Sequence, residues 1–136
     1  RETITDGWLH TGDVARCDEE GFIFIVDRVK DMVLRGGENI YCSEVETTLH
    51  KISEISECSV FGVPDDRLGE EVGAVIYRVP GSTKTVTEIR EFCFSHMAKH
   101  KVPKYIWFSE SPLPRNANGK FLKRELRESL DLKNAL

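Results

Sequence analysis

Metal-type cysteine spacing is missing from this sequence. Cys17, Cys42, Cys58 and Cys93 form no C-x-x-C pair, and His10, His50, His96 and His100 complete no ligand set. The four thiols are read as reduced, with Cys58 and Cys93 in apolar surroundings, which suits a cytoplasmic or organelle-interior location. A basic excess is missing too. Lys and Arg number 19 against 23 Asp and Glu, a net charge of −4, which argues against a general nucleic-acid or membrane-surface binder. No apolar run approaches the roughly 18 residues needed to cross a bilayer, so no transmembrane segment is expected. A P-loop, a Ser/His/Asp order, a glycosidase carboxylate pair, internal repeats and low-complexity segments are all absent. No signal peptide is visible. The chain opens at Arg1 rather than methionine and is expected to be a piece of a longer protein.

What is present is a soluble, globular composition, with 40% apolar and 31% charged residues over 136 positions, enough for one core. Residues 13–18 and 22–27 flank Glu19-Glu20-Gly21 and read as a hairpin. Residues 28–42 look irregular. Ser43-Glu44-Val45-Glu46 reads as a capping box opening a helix with Val45, Leu49 and Ile52 on one face. Strands are expected at 58–63, ended by Pro64-Asp65-Asp66, at 72–79, and at 105–108. Thr85 or Thr87 caps a helix that presents Ile89, Phe92, Cys93 and Met97. A loop at 111–119 precedes a helix carrying Leu122, Leu126 and Leu130. The expected class is α+β, with three short strands and about three helices preceded by a hairpin that looks like a separate piece.

Four stretches contain residues suited to chemistry, and each also has an ordinary structural reading. Asp13, after Gly12, could accept hydrogen bonds from a ribose diol or be a simple turn aspartate. Arg28, in Asp27-Arg28-Val29-Lys30-Asp31, offers a rigid donor fork for hydroxyls or phosphate, or belongs to a solvated charge cluster. Gly36-Gly37 permits positive φ and close backbone approach to a ligand. Lys120, after the 111–119 loop, could bring a charge to a phosphate or carboxylate, or be a surface lysine.

Their order carries more than each alone. Thr11-Gly12-Asp13, Asp27-Arg28-x-Lys30-Asp31, Gly36-Gly37-Glu38-Asn39-Ile40, Glu44-Val45-Glu46 and Asn118-Gly119-Lys120 follow one another in one chain. Gly62-Val63-Pro64-Asp65-Asp66, Gly69-Glu70-Glu71 and Lys101-Val102-Pro103-Lys104 add to the set. From about Gly7 to Leu126 the chain resembles the C-terminal end of adenylate-forming enzymes, most of all fatty acyl-CoA synthetases.

The resemblance implies a two-step ligase. A carboxylic acid, expected to be fatty, attacks the α-phosphate of MgATP to give an acyl-adenylate and pyrophosphate, and the thiol of coenzyme A then displaces AMP. Residues 1–29 would be the tail of a large N-terminal domain and 30–136 a C-terminal lid. That N-terminal domain would be the lid's partner and would hold most of the Mg2+. The family pattern implies that Asp13 and Arg28 contact the nucleotide ribose, that Lys30 is the hinge, and that Lys120 bridges carboxylate and phosphate during adenylation. It also implies that Gly36, Gly37 and Glu38 line the pantetheine tunnel, and that Lys104, with Lys101, meets the phosphates of coenzyme A. Two departures stand out. Cys42 replaces a usual proline, beside the tunnel, where its thiol would be open to oxidation. His100 replaces an aromatic residue. Two other readings stay open: an adenylation domain serving a carrier protein, and a non-catalytic nucleotide-binding lid.

The isolated chain is expected to show no turnover, since the resemblance puts the ATP phosphate loop on the N-terminal domain. In the full-length enzyme, Lys30→Pro should slow thioester formation more than adenylation, because proline fixes φ at the pivot. An unchanged rate of thioester formation from supplied acyl-adenylate would remove Lys30 from the hinge role.

Overall fold

The chain opens with two antiparallel hairpins in the computed structural model, which describes residues 3–136. Arg1 and Glu2, the start of the expected tail, lie outside the described residues. Strands β1 (Ile4–Thr5) and β2 (Trp8–Leu9) pair across an Asp6-Gly7 turn. β3 (Asp13–Cys17) and β4 (Ile23–Arg28) form the expected hairpin. Its turn is tied by Asp18, whose carboxylate accepts from the amides of Glu20 and Phe22. A short 3-10 turn, Val29–Asp31, follows.

Residues 32–41, expected to be irregular, instead form a hairpin of β5 (Met32–Arg35) and β6 (Glu38–Tyr41). Gly36 and Gly37, with φ of 56° and 89°, make its two-residue turn. Two successive positive-φ positions match the twist of the strands, and glycine adopts both without a Cβ clash.

Helix α1 (Cys42–Leu49) comes next. The capping box expected at Ser43 is not formed. Tyr41 holds the N-cap position with no side-chain bond, and the Ser43 amide donates to Asp27 Oδ2 at 3.1 Å. Glu46 turns away to accept from the Val60 amide at 2.8 Å. Partners distant in sequence have displaced the local motif.

β7 (Ile55–Asp65) and β8 (Gly69–Arg78) form a long antiparallel ladder, and β7 runs through Pro64 rather than stopping before it. Helix α2 (Val86–His96) does keep its own capping box, with Thr85 and Glu88 bonded reciprocally. β9 (Tyr105–Ser109) pairs parallel to β8, and α3 (Lys123–Ser129) closes the chain's regular structure.

Among the described residues the class is α+β with three α-helices, as expected. The sheet contains the three expected strands plus the β5–β6 hairpin, five in all. Alternation at period two splits its side chains between two cores. On one face Cys58, Val60, Val72, Ala74, Ile76 and Ile106 pack with Val45, Leu49, Ile89 and Cys93 of α1 and α2. On the other, Phe61, Val63, Val75 and Trp107 pack with Leu113 and Leu126. The central strands are buried on both faces, so they read as nearly continuous apolar runs.

Gly73 sits where that second face is tightest. A Cβ there would lie 2.6 Å from Val63 Cγ2 and 3.1 Å from Trp107 Cζ3. Gly73→Ala should therefore destabilise the fold by ~1–3 kcal/mol through overpacking. Urea unfolding measures this, and an unchanged midpoint would mean that the strands part to make room.

Candidate functional site

The β3–β4 register sets Asp13 opposite Arg28. Arg28 Nε lies 3.3 Å from Asp13 Oδ1, with the arginine side chain 59% exposed. An exposed pair of this kind contributes only ~0–1 kcal/mol, so both groups are available to a ligand. The Asp13 amide donates to Thr11 Oγ1, and the Val29 amide to the Gly12 carbonyl, which close the base of the hairpin.

Lys120 reaches the same place from a loop near the other end of the chain. Asp13, Arg28, Arg115, Lys120 and Lys123 line one open cleft of about 650 Å³. The loop is held by its own sequence. Asn116 Oδ1 accepts from the amides of Asn118 and Lys120, and the Asn116 amide donates to the Lys120 carbonyl. Arg115 donates to the Gly119 carbonyl and to Glu57 Oε1, and its guanidinium lies over the Phe121 ring at 4.1 Å. Glu57 also accepts from the Leu113 amide at 2.7 Å. The Lys120 ammonium has no side-chain or backbone partner among the described residues. The loop backbone is thus held by its own bonds, while the exposed Lys120 ammonium is left unneutralised and open to an incoming anion. Lys123 is different. Its ammonium donates to the Val60 carbonyl and pairs with Glu46 at 3.0 Å. Burial pushes it down, but the Glu46 carboxylate, together with other nearby acidic groups, outweighs that and holds it above the ordinary lysine value.

A second cationic cleft, about 620 Å³ in volume, shares no lining residue with the first. Arg35, Glu71, Arg90, Lys99, His100 and Lys104 contribute its polar wall. Glu71 is nearly buried and organises it. Its carboxylate takes a two-pronged bond from Arg35, at 2.6 and 3.1 Å, and lies 3.5 Å from Lys104 Nζ. Lys104 also pairs with Asp65 at 3.3 Å. Bonds from the Leu68 and Arg67 amides hold the Asp65 carboxyl below its usual range, with the Lys104 ammonium adding to them. Arg90 is tied to the carbonyls of Pro103, Lys104 and Leu136.

The sequence-derived residues fall into these groups unevenly. Asp13, Arg28 and Lys120 meet in the first cleft. Lys30 lies in the turn beside it and lines a neighbouring hollow with Gly12 and Asp13. Lys104 lines the second cleft, and His100, the substituted aromatic position, lines it too. Gly36 and Gly37 form the turn next to Arg35, while Glu38 is exposed and lines neither. Lys101 is committed elsewhere, with both oxygens of Glu44 at 2.8 Å. Cys42 is fully buried, and burial pushes its thiol up to about 12, so the expected oxidation sensitivity is not supported. Arg35, Glu57 and Glu71 were assigned no role, although Arg35 opens the Arg35-Gly36-Gly37-Glu38-Asn39 stretch and Glu71 ends the Gly69-Glu70-Glu71 segment; Glu57 looks like an ordinary strand residue.

The two clefts lie at opposite ends of the β7–β8 ladder. Glu57, which anchors the Lys120 loop, pairs with Tyr77, whereas Glu71 pairs with Val63. Six residues of strand separate them, about 20 Å at ~3.3 Å per residue.

A small α+β domain with a cationic cleft at each end of its main ladder, preceded by a hairpin that contributes an Asp–Arg pair, is the class that the geometry defines. Residues 44–120 match the family described as the AMP-binding enzyme C-terminal domain, and the chain belongs to that family. It is 46% identical over 131 residues to a 2-succinylbenzoate–CoA ligase of Bacillus cereus, covering 96% of this chain and 27% of that protein. It is 47% identical over 131 residues to a mitochondrial medium-chain acyl-CoA ligase of Rattus norvegicus, covering 96% of this chain and 21% of the relative. The chain thus spans about a quarter of the length of the curated relatives it matches. The o-succinylbenzoate CoA synthetase of Bacillus subtilis, solved with its acyl-adenylate intermediate, superposes with a TM-score of 0.84 and 34% identity, over 94% of this chain and 26% of the other.

Glu57 provides a test of the loop's anchoring. Burial pushes its carboxyl up, but the Leu113 amide and the Arg115 guanidinium outweigh this and leave it below the ordinary value near 4.5. A depressed carboxylate stabilises the fold above its unfolded pKa, and that contribution is lost as pH falls through the folded value. Glu57→Gln should lower stability at neutral pH and flatten its decline as pH falls below that ordinary value near 4.5. Urea unfolding across pH reads both effects, and an unaltered acid slope would dissociate Glu57 from the loop.

Proposed function

We propose that this chain is the C-terminal part of an AMP-forming acid–thiol ligase, which activates a carboxylic acid with ATP and passes the acyl group to coenzyme A. The observation that carries the reading is the first cleft, where Asp13, Arg28 and Lys120 converge from elements far apart in sequence, the lysine unpaired among the described residues. The family match and the names of the relatives support it. Those names include a succinylbenzoate and a medium-chain acyl ligase, so the proposal is made for a carboxylic acid and not for a fatty acid in particular.

In this reading residues 1–29 end a large N-terminal domain and 30–136 form its lid, with the pivot at Lys30. Asp13 accepts from the ribose hydroxyls of ATP, and Arg28 flanks them. Lys120 sits between the acid's carboxylate and the α-phosphate. Two anions repel as they approach, and a fixed ammonium between them offsets that repulsion as the carboxylate oxygen attacks phosphorus. Pyrophosphate leaves, and the acyl-adenylate remains.

Lys120 has no part in the second step, because the lid's rotation carries it away from the centre where the thiol attacks the acyl carbonyl and AMP departs. Rotation about Lys30 would then bring the other end of the ladder to the same centre. The Gly36-Gly37 turn and Glu38 would flank the pantetheine arm, and Lys104 with Arg35 would receive phosphates of coenzyme A. The roughly 20 Å between the two ends is the reason for a rotation, since a static lid could not bring both to one reacting atom. Mg2+ is left to the N-terminal domain, and no residue of this chain is assigned to it.

Lys120→Ala in the full-length enzyme should lower acid-dependent pyrophosphate formation by roughly 10²–10³, the usual effect of removing a fixed charge-stabilising group. Thioester formation from supplied acyl-adenylate should be spared. An equal fall in both half-reactions would refute the assignment of Lys120 to the first.

A further inference from the structure

We propose that Asp27 is a positioning residue that latches the lid in its adenylation orientation by capping helix α1 from the far side of the Lys30 pivot. The inference rests on the two-step ligase reading above. Helix α1 begins without a cap of its own, since Tyr41 at the N-cap position makes no side-chain bond to the first turn. The first amides of any helix lack intrahelical partners and need an acceptor. Here the acceptor comes from β4. Asp27 Oδ2 takes the Ser43 amide at 3.1 Å and the Ser43 hydroxyl at 3.0 Å, and that hydroxyl also lies 3.0 Å from the Val26 carbonyl. The other oxygen, Oδ1, accepts from the Arg28 amide at 2.8 Å. One carboxylate therefore fixes the backbone that carries the ribose arginine and the first turn of the lid's first helix. Its negative charge also opposes the positive end of the helix dipole.

The chain between these partners is the Val29–Asp31 turn and the β5–β6 hairpin, so Asp27 and Ser43 lie on opposite sides of Lys30. A rotation about Lys30 that turns the first turn of α1 away from β4 breaks the bonds that span the pivot. The contact is made in the arrangement in which Lys120 faces Asp13 and Arg28, and it breaks when the lid turns. An interaction present in one state only biases the equilibrium by its own strength. Asp27 thereby favours the first half-reaction without touching substrate, and it leaves the second unaided.

The test uses the full-length enzyme with Asp27→Ala, Asp27→Asn and Ser43→Ala. Asp27→Ala should slow acid-dependent pyrophosphate formation about two- to thirtyfold, the span corresponding to loss of a helix cap. Thioester formation from supplied acyl-adenylate should not fall. Asp27→Asn should keep most of the adenylation rate, because asparagine caps as well as aspartate does. Ser43→Ala should fall between the two, since the backbone bond to Asp27 persists. Trypsin cleavage after Lys30, measured without substrates, should speed up in Asp27→Ala. Equal losses in both half-reactions would mean a merely structural role and overturn the proposal, as would unaltered trypsin cleavage. Faster cleavage in Asp27→Ala combined with a wild-type enzyme that releases no pyrophosphate with any acid would support the latch and refute the ligase reading.

Discussion

The antiparallel ladder of β7 and β8 is the constraint on which the rest depends. Ten paired positions hold Ile55 to Asp65 against Gly69 to Arg78, and both faces of these strands are buried. A sheet covered on both sides has its register fixed strongly, because a slip of one residue would exchange its two cores. Fixed register in turn fixes where the few polar residues of the strands emerge. Glu57 and Glu71 are set about 20 Å apart along the ladder; Glu57 holds Arg115 of one cleft, and Glu71 holds Arg35 and Lys104 of the other.

Carboxylates on rigid strands thus do most of the positioning, while the cations carry the proposed chemistry. Glu57 holds Arg115 and the Leu113 amide, which shape the loop bearing Lys120. Glu71 holds Arg35 and steadies Lys104. Glu46, from α1, ties Lys123 to the ladder through the Val60 amide. A buried carboxylate left unpaired would be costly, so these contacts maintain both sites and the fold together. Lys120 stands apart from this scheme, and its lack of a partner among the described residues is what leaves its charge available.

The places where local reasoning failed share one cause. Ser43-Glu44-Val45-Glu46 has the form of a capping box, yet Ser43 bonds to Asp27 and Glu46 to Val60, partners 16 and 14 residues away. Thr85-Val86-Thr87-Glu88 has the same form and does cap its helix, with Thr85 and Glu88 bonded to each other and to no distant group among the described residues. Residues 32–41 were unreadable as strands because β5 and β6 are short and their mixed charges hide the alternation. Their hairpin joins the sheet through the Arg35–Gly69 pairing, a bond from the Gly36 amide to the Leu68 carbonyl, and Glu70, which accepts from the Leu34 amide. The Cys42 expectation erred for a similar reason, since its burial comes from packing and not from neighbours in the chain.

The sequence by itself determined the α+β class, the central strands, helix α2 with Thr85 or Thr87 as its cap, and the motif order that points to Asp13, Arg28 and Lys120. The class, the strands and the helix rest on periodicity, turn residues and local bonds, which act over a few positions, whereas the motif order carries weight only through its resemblance to a known family. Tertiary structure alone decided that Lys120 meets Asp13 and Arg28 in one cleft, that Arg35 and Lys104 share Glu71, and that the first helix is capped by Asp27. Each of these joins residues distant in the chain, and strand register and sheet packing, not spacing, bring them within bonding distance.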